Sequence, residues 1–468
     1  MHLFNQIAQK PNIVYVSPSM IDDRIEAIYY KQQYLDADEK IVSFDTGYVF
    51  LKDLCSKITD GTHKTPNYTT KGLKFISSKN VSEDGIDFEN VKYISKEEHH
   101  EISKRCKVEA EDILLTKVGR IGYAKIVPAN VPDFSIFVSV ALLKLKGNMD
   151  NAFIEVFLNS KYGRIQSEKL AKGSNQPDFH LEDIAEIKIP IPSPEIQKYI
   201  GDKVRKAEEL REEAKKGKKK LENELNNLFN FNIKKSNIWY LSFLELEDRI
   251  DCEYNYKHFY QLKDNFEKRG LKVVRFGKLI KKKLSEPQTN SEDFVSEGIP
   301  VLRITDIYED YLDFENCARI PEEIYEKLKE FQLISNDIIF GLSGTIGRTI
   351  VVPENIPEKA ITNRRIAKVT LKDPQLSYYI AAFLNSEFGK MQLLRETTGG
   401  VQKNLRLEDI TKVHIPIPSK ELIYKFSSLM KERIKKLNDS RILIQEAKQD
   451  VEDLIEGNFS ISKIKANN

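Results

Sequence analysis

The chain has 468 residues and a formal net charge of only +2, with 40% hydrophobic and 31% charged residues. This length is enough for two or three domains with their own cores, and the composition is that of a soluble globular protein. No stretch approaches the roughly 18 apolar residues of a membrane span, and no secretory signal follows Met1. With so little net charge, nucleic-acid binding must come from local patches rather than from a global field.

The four cysteines, Cys55, Cys106, Cys252 and Cys317, are isolated from one another in the sequence. None belongs to a Cys-x-x-Cys pair, which argues against a zinc site and against a disulfide framework. The pattern predicts a reducing, cytoplasmic location and no metal held by this chain.

An internal duplication organises the sequence. The tetrapeptide Asp-Phe-Glu-Asn at residues 87–90 returns at 313–316, an offset of 226 positions (313 − 87). Three further segments return at the same offset, namely 157–160 at 383–386, 181–184 at 407–410 and 189–193 at 415–419. Looser matches hold at an offset of 225, such as 119–122 with 344–347. Two domain-sized units with a nearly constant offset indicate a tandem duplication rather than a solenoid.

The elements of the first copy mix strands and helices. We expect a strand or short helix over 48–58, a polar loop over 59–67, strands over 72–79, 112–116, 123–127 and 137–145, a helix over 151–170, and a strand over 187–190. The second copy repeats this order with different polar loops. The predicted fold class is α+β, with two tandem domains of the same fold and a mixed or predominantly antiparallel sheet in each.

Each copy ends in a long helix with a narrow apolar seam. In the first helix, over 194–229, the seam repeats every seven residues, at Ile200, Ala207, Ala214, Leu221 and Leu228. In the second, over 420–456, it lies at Ile423, Met430, Leu437, Ile444 and Val451. Two seams of matched length in one chain predict an antiparallel intramolecular coiled coil.

These patterns define seven segments. They are an N-terminal segment (1–21), a first domain (22–192), a central helix (193–230), a linker (231–246), a second domain (247–418), a C-terminal helix (419–458) and a tail (459–468).

Catalytic motifs are missing from the sequence. The Pro-Pro-containing loop of a DNA methyltransferase is absent, and the glycines of 341–349 do not have the spacing of a phosphate-binding loop. A nuclease centre built from Asp178, Glu186 and Lys188 remains as an alternative, because paired carboxylates with a lysine can bind Mg²⁺. The second copy does not keep these residues. The sequence favours binding over catalysis.

The duplicated domain, its Ile-Pro-Ile-Pro-Ser exits at 189–193 and 415–419, and the alternating long helices resemble the specificity subunit of type I restriction-modification enzymes. Further matching motifs are the Asp-Arg-Ile starts, Gly-Leu-Lys-Phe-Ile at 72–76, Gly-Arg-Ile-Gly at 119–122 and Gln-Pro-Asp at 176–178. Each motif alone is weak evidence for the family. Their order along the chain, which the two copies share in most elements, is specific evidence for it. The resemblance covers nearly the whole chain.

The resemblance implies two target-recognition domains, each reading one half of a split, asymmetric site in double-stranded DNA. It also implies a subunit that is not itself an enzyme and binds no cofactor. Two modification subunits would carry S-adenosylmethionine and methylate adenine, and restriction motor-nuclease subunits would carry ATP and Mg²⁺. The long helices would then set the spacing between the half-sites and dock the modification subunits.

Direct readout of base edges needs polar side chains on rigidly framed loops, with Arg or Lys for guanine and Asn or Gln for adenine. By this criterion the predicted DNA-contacting residues of the first domain are His63, Lys64, Asn67, Lys79, Lys117, Arg120, Asn175 and Gln176. Those of the second domain are Arg303, Ser343, Thr345, Arg348, Arg364, Arg365, Gln402 and Asn404.

Other readings stay open at this point. The chain also suits the specificity module of a bifunctional cleavage–methylation (type II) enzyme, and a coiled-coil adaptor whose twin domains bind protein. Sequence-selective DNA binding separates the adaptor from the DNA reader, and metal-dependent cleavage by the isolated chain would identify the nuclease.

Overall fold

The computed structural model describes residues 14–18, 21, 24–173, 177–230, 249, 254–282, 284–289, 291–308, 311–342, 347–398 and 404–466. The chain divides into two units, the first made of residues 1–208 and 441–468 and the second of residues 209–440. Each long helix therefore contributes one part to each unit.

The first unit combines short helices with small sheets. Its helices are α1 (Gln32–Val42), α2 (Leu51–Leu54), α3 (Lys96–Arg105), α4 (Asn151–Asn159), α5 (Lys161–Leu170) and α6 (Leu181–Ala185). Its strands are β1 (Tyr48–Phe50), β2 (Cys55–Asp60), β3 (Leu73–Ile76), β4 (Val81–Ser82), β5 (Gly85–Ile86), β6 (Lys92–Ile94), β7 (Ile113–Thr116), β8 (Ala124–Ile126), β9 (Phe134–Ile136), β10 (Val140–Leu145) and β11 (Lys188–Pro190). Helix α7 (Pro194–Phe229) follows and runs on into the second unit.

The second unit repeats this composition. Its helices are α8 (Lys257–Lys268), α9 (Glu322–Leu328), α10 (Ser377–Asn385), α11 (Glu387–Arg395) and α12 (Leu407–Ile410). Its strands are β12 (Lys272–Arg275), β13 (Ile299–Leu302), β14 (Ala318–Ile320), β15 (Ile338–Gly341), β16 (Thr349–Val351), β17 (Ile361–Thr362), β18 (Ile366–Val369) and β19 (His414–Ile417). Helix α13 (Lys420–Ile455) begins in this unit and ends in the first unit, to which α14 (Ser462–Ala466) also belongs.

The sheets of the two units have matching strand orders. In the first unit β10, β7 and β8 are antiparallel neighbours, with β2 added at the β10 edge. In the second unit β18, β15 and β16 repeat this arrangement. The sheet β6-β3-β9, with β3 and β9 parallel, returns as β14-β13-β17 with β13 and β17 parallel. The prediction of two α+β domains of one fold is confirmed.

Several predicted elements differ in their limits. The single strand or helix expected over 48–58 is divided among β1, α2 and β2, and the strand expected over 137–145 begins at Val140. The helix expected over 151–170 is two helices, because Ser160 takes an extended conformation and its Oγ caps α5 by accepting from the N–H of Gly163. A side chain at Gly163 would collide with the carbonyl of Phe157, so this sharp junction needs glycine. The polar loop expected from Thr59 begins at Gly61, since β2 extends to Asp60.

Within each unit, α7 and α13 share a hydrophobic core. In the first unit the core includes Ile200 and Val204 of α7 with Ala447 and Val451 of α13. In the second it contains Leu221, Leu225, Phe426 and Met430. In the second unit Glu213 pairs with Lys436 at 3.0 Å and Glu224 with Lys425 at 2.8 Å. Rising numbers in α7 thus meet falling numbers in α13, so the helices pack antiparallel there.

The predicted α7 seam is largely buried and the predicted α13 seam only in part. Ile200, Ala207, Ala214 and Leu221 are buried, and Leu228 is half-buried. In α13, Met430, Ile444 and Val451 are buried, while Ile423 and Leu437 are half-buried. The buried positions of α13 also include Phe426, Arg433, Ser440 and Ala447. These four residues also lie seven positions apart. The apolar pattern did not reveal them because Arg433 and Ser440 carry polar side chains.

Candidate nucleic-acid interface

Five polar segments of the first unit meet around the end of β2. Backbone hydrogen bonds join Thr62 N–H to the carbonyl of Ile136 at 3.2 Å and Val138 N–H to the carbonyl of Thr62 at 3.1 Å. The segment after β3 joins through Ser78 N–H, which donates to the Oγ of Ser139 at 3.0 Å. These bonds hold the loop after β2 against the turn between β9 and β10.

The segments around Lys117 and Phe179 belong to the same surface. Lys117 N–H donates to the carbonyl of Ser139 at 3.0 Å, and Phe179 N–H donates to the carbonyl of Lys117 at 2.8 Å. Gly119 N–H reaches the carbonyl of Pro177 at 3.3 Å. The loops that the sequence marks as polar and divergent are therefore brought together and fixed to one framework, as direct readout of DNA requires.

Gly61 allows the closest of these approaches. A Cβ at this position would lie 2.0 Å from the carbonyl oxygen of Ile136, which no side chain tolerates. Glycine at position 61 is thus a packing requirement, and the first polar loop, which carries His63, starts directly after Asp60.

Asp60 is the electrostatic centre of this surface. Its side chain is 2% exposed, and its carboxylate accepts from both terminal nitrogens of Arg105 at 3.1 and 3.2 Å. His63 Nε2 lies 3.2 Å and Lys117 Nζ lies 3.4 Å from the same carboxylate. A buried charge is tolerated when it is paired and hydrogen-bonded in this way. Asp60 therefore fixes His63 and Arg105 in place while their outer parts stay in solvent.

A cleft of about 1120 Å³ opens between the first polar loop and α3. One wall carries His63, Lys64 and Asn67, and the other is formed by α3 with Glu97 and Glu98. The backbone N–H of Asn67 donates to the Glu98 carboxylate at 3.1 Å, which ties the two walls together. Cations and carboxylates thus face one space, an arrangement that suits the mixed donors and acceptors of base edges.

The structure separates the eight residues predicted for the first domain into three groups. His63, Lys64, Asn67, Lys79 and Arg120 are exposed on the converging loops. The Arg120 guanidinium stands 4.5 Å from the centre of the Tyr123 ring. Lys117 is buried, with Nζ between Asp60 and Asp178, so the structure favours a positioning role for it over base contact. Asn175 and Gln176 lie outside the described residues.

The second unit gathers its polar segments in the same manner. Leu342 N–H donates to the carbonyl of Arg365 at 3.0 Å, and Leu405 N–H donates to the carbonyl of Leu342 at 3.0 Å. Asn363 N–H reaches the carbonyl of Leu302 at 2.9 Å. The segments after β13, β15, β17 and α11 therefore adjoin one another.

The predicted residues of the second domain also differ in their surroundings. Arg303 makes a two-pronged bond to Asp306 at 2.9 and 3.0 Å, and Arg348 donates to the carbonyl of Ile307 at 2.5 Å. Arg364 and Arg365 are exposed on the loop between β17 and β18. Asn404 is exposed and pairs through its backbone with Thr398. Ser343, Thr345 and Gln402 lie outside the described residues.

Sequence reasoning missed three features of these surfaces. Asp60 and Arg105 were not recognised because their partners are 45 and 57 residues away along the chain. In the second unit, Tyr308 and Tyr311 stack with ring centres 4.2 Å apart and planes 14° apart. A Tyr-x-x-Tyr spacing next to the Arg303 loop was the one available signal.

The residues of the nuclease alternative have separate partners. Asp178 lies 3.6 Å from Lys117, Glu186 pairs with Lys52 at 2.6 Å, and Lys188 pairs with Asp38 at 2.6 Å. Among the described residues no group of three or more His, Cys, Asp or Glu side chains is placed to hold a metal ion. The arrangement gives no support to a metal-dependent cleavage centre.

Buried thiols offer no nucleophile in the described part of the chain. Burial raises the pKa of the Cys55 thiol to about 12 and that of the Cys106 thiol to about 11. Both thiols stay protonated at neutral pH, and a protonated thiol is a poor nucleophile. Burial also raises the pKa of the Cys317 thiol. The fourth cysteine, Cys252, lies outside the described residues.

Comparison with known proteins identifies the class. A model of the type I restriction modification DNA specificity domain matches residues 43–225 and, a second time, residues 255–445. The two matches cover most of the chain, and the chain belongs to this family. It carries two copies of a domain whose role is DNA sequence specificity, not catalysis.

Individual relatives are distant. The specificity subunit of the type I restriction enzyme EcoBI from Escherichia coli is 28% identical over 134 residues, which are 28% of this chain and 27% of that protein. The MjaVIII specificity subunit from Methanocaldococcus jannaschii is 25% identical over 324 residues, 65% of this chain and 67% of that protein. A crystal structure of the S subunit of a type I system from M. genitalium covers 89% of this chain and 96% of its own, with 14% identity and a TM-score of 0.42.

No described helix has both the length and the apolar composition to cross a membrane.

Proposed function

We propose that this chain gives a type I restriction-modification complex its DNA sequence specificity by reading a two-part, asymmetric site, with one domain on each part. The observation that carries the proposal is the presence of two family domains with one framework and different polar loops. Identical readers would require a symmetric site, whereas divergent readers on a shared framework suit two different half-sites.

The chemistry of readout follows from the exposed side chains. Exposed guanidinium groups are present at Arg120 in the first unit and at Arg364 and Arg365 in the second. One guanidinium can donate two hydrogen bonds to a guanine, one to O6 and one to N7. Asn67 and Asn404 offer amides for adenine. Asp60 acts indirectly, since it holds His63 and Arg105 at the edge of the cleft.

The assembly is part of the proposal. Two modification subunits would dock on the two repeats, because a duplicated chain offers two equivalent surfaces to one kind of partner. They would carry S-adenosylmethionine and methylate adenine, while restriction subunits would carry ATP and Mg²⁺. The complex would act on DNA in the cytoplasm.

The isolated chain is expected neither to methylate nor to cleave DNA, because its two family domains supply DNA specificity and its described residues form no group placed to hold a metal ion. Incubating the purified chain with DNA, S-adenosylmethionine, ATP and Mg²⁺ tests this directly. The same reaction with modification subunits added should methylate the DNA. Methylation or cleavage that persists in a preparation free of other subunits would contradict the assignment.

Replacing Arg120 with Ala should relax recognition of one half-site and leave the other unaltered, and Arg365→Ala should do the reverse. A lost base contact costs about 1–3 kcal/mol, or roughly 5- to 150-fold in discrimination. Sequencing of methylated sites by the assembled complex reads both halves at once. Lys198→Ala, an exposed lysine on α7, is the matched control. Equal damage to both half-sites by Arg120→Ala would show that this residue serves folding or docking.

A further inference from the structure

The middle of α7 carries a dense positive charge that the reading domains do not use. Residues 215–220 contain five lysines and one glycine. Four of these lysines, called here the lysine stripe, are exposed, namely Lys215, Lys216, Lys219 and Lys220. The repeat-equivalent stretch of α13, residues 441–446, contains no lysine. The charge is therefore a property of one helix and not of the duplicated framework.

The stripe borders a shallow groove of about 410 Å³ in the second unit. The groove is lined by Lys216, Lys219, Lys220, Asn223, Glu224 and Asn227. Spacings of three and four residues place these side chains on one face of the helix. All six are polar, whereas a surface that docks protein has an apolar centre.

Three of the acidic side chains near the stripe are already paired. Glu224 pairs with Lys425 at 2.8 Å, Glu213 with Lys436 at 3.0 Å, and Glu432 also with Lys436, at 2.7 Å. Lys215, Lys216 and Lys219 form no ion pair with any residue that the structure describes. Their charges remain available to an external anion.

We infer that the lysine stripe binds the phosphate backbone of double-stranded DNA, independently of sequence. The inference rests on the proposed function, which brings duplex DNA to this chain. Duplex DNA carries one charge per about 1.7 Å of its axis, and the six helical residues 215–220 cover about 9 Å, enough to face several phosphates. Lysine acts as a point charge and reads no bases, so the stripe adds affinity without specificity. The stripe would thereby give a chain of near-neutral net charge a local positive patch for binding DNA.

The test uses the full chain assembled with modification subunits. Binding of a duplex with the mapped target is measured over a range of salt concentrations for the unaltered chain and for K216Q/K219Q. Each lost phosphate contact reduces the magnitude of the slope of log affinity against log salt by about 0.9. The slope of the double variant should therefore be smaller in magnitude by about 1.8. Discrimination between the target and a duplex with one changed base should stay the same.

The matched control is K420Q/K435Q, which removes two exposed lysines from α13 and should leave the slope unaltered. An unaltered slope in K216Q/K219Q would overturn the inference. So would a K216Q/K219Q chain that no longer binds the modification subunits while the control does, because the stripe would then contact protein. If the unaltered complex prefers no sequence, the proposed function fails, and the slopes measured on any duplex still decide whether the stripe binds DNA.

Discussion

A fragment of residues 1–230 is expected to form a two-fold homodimer and, with modification subunits, to direct methylation to an inverted repeat of the first half-site. Removing the second half exposes Ile200, Val204 and Ala207, which in the whole chain pack with Ala447 and Val451. Exposed apolar surface is unfavourable in water, and an identical helix is the nearest substitute because both long helices descend from one ancestor.

The seam itself supplies a test of this pairing. Val204→Glu places a charge in the seam and should keep the fragment monomeric, which makes it the control. Sedimentation and methylation mapping decide the outcome. A soluble monomer, or an asymmetric target that persists with the fragment, would contradict the view of the protein as an internal dimer.

Replacing Asp60 with Ala is expected to destabilise the first unit by about 3 kcal/mol and to abolish recognition of the first half-site. The change leaves the buried ammonium of Lys117 with Asp178 at 3.6 Å as its remaining partner. Breaking a buried ion pair from one side costs about 3–5 kcal/mol, since an uncompensated charge stays behind. It also frees His63 and Arg105, which Asp60 holds at the cleft.

Urea unfolding of the whole chain, followed as two transitions, measures the stability change. The double variant D60A/K117M should recover part of the lost stability, because no buried charge is left alone. Recognition should not return, since His63 and Arg105 remain unanchored. Glu101→Ala is the control, as its pair with Lys104 is exposed and should change the free energy of unfolding by less than about 1 kcal/mol. An unaltered first half-site in D60A would contradict the positioning role.

The duplication made the fold predictable from the sequence. Motifs that recur at a constant offset indicated that the two domains have the same order of helices and strands. The structure shows matching strand orders in the two units. The helix pair was predictable where the seam is apolar, as at Ile200 and Leu221. It was not predictable in the middle of α13, where Arg433 is 7% exposed against Gly217 of α7. A pattern built from apolar residues cannot identify a buried arginine.

The candidate site was predictable in its loops and not in its internal contacts. Polar composition singled out the segments that carry His63, Lys64 and Arg120, and these prove exposed on converging loops. The same reasoning placed Lys117 in contact with DNA, although its ammonium is buried between two carboxylates. Distant partners such as Asp60 and Arg105 are joined by tertiary packing, which residue type and spacing do not reveal.

Mapping of DNA methylation in cells that hold the modification subunits, with and without this chain, decides whether its two domains read two different half-sites. We expect methylation at a two-part, asymmetric sequence that appears when this chain is supplied and disappears when it is withheld. The same methylated sequence in its absence, or one continuous or symmetric target in its presence, would contradict the assignment of two different readers to the two domains.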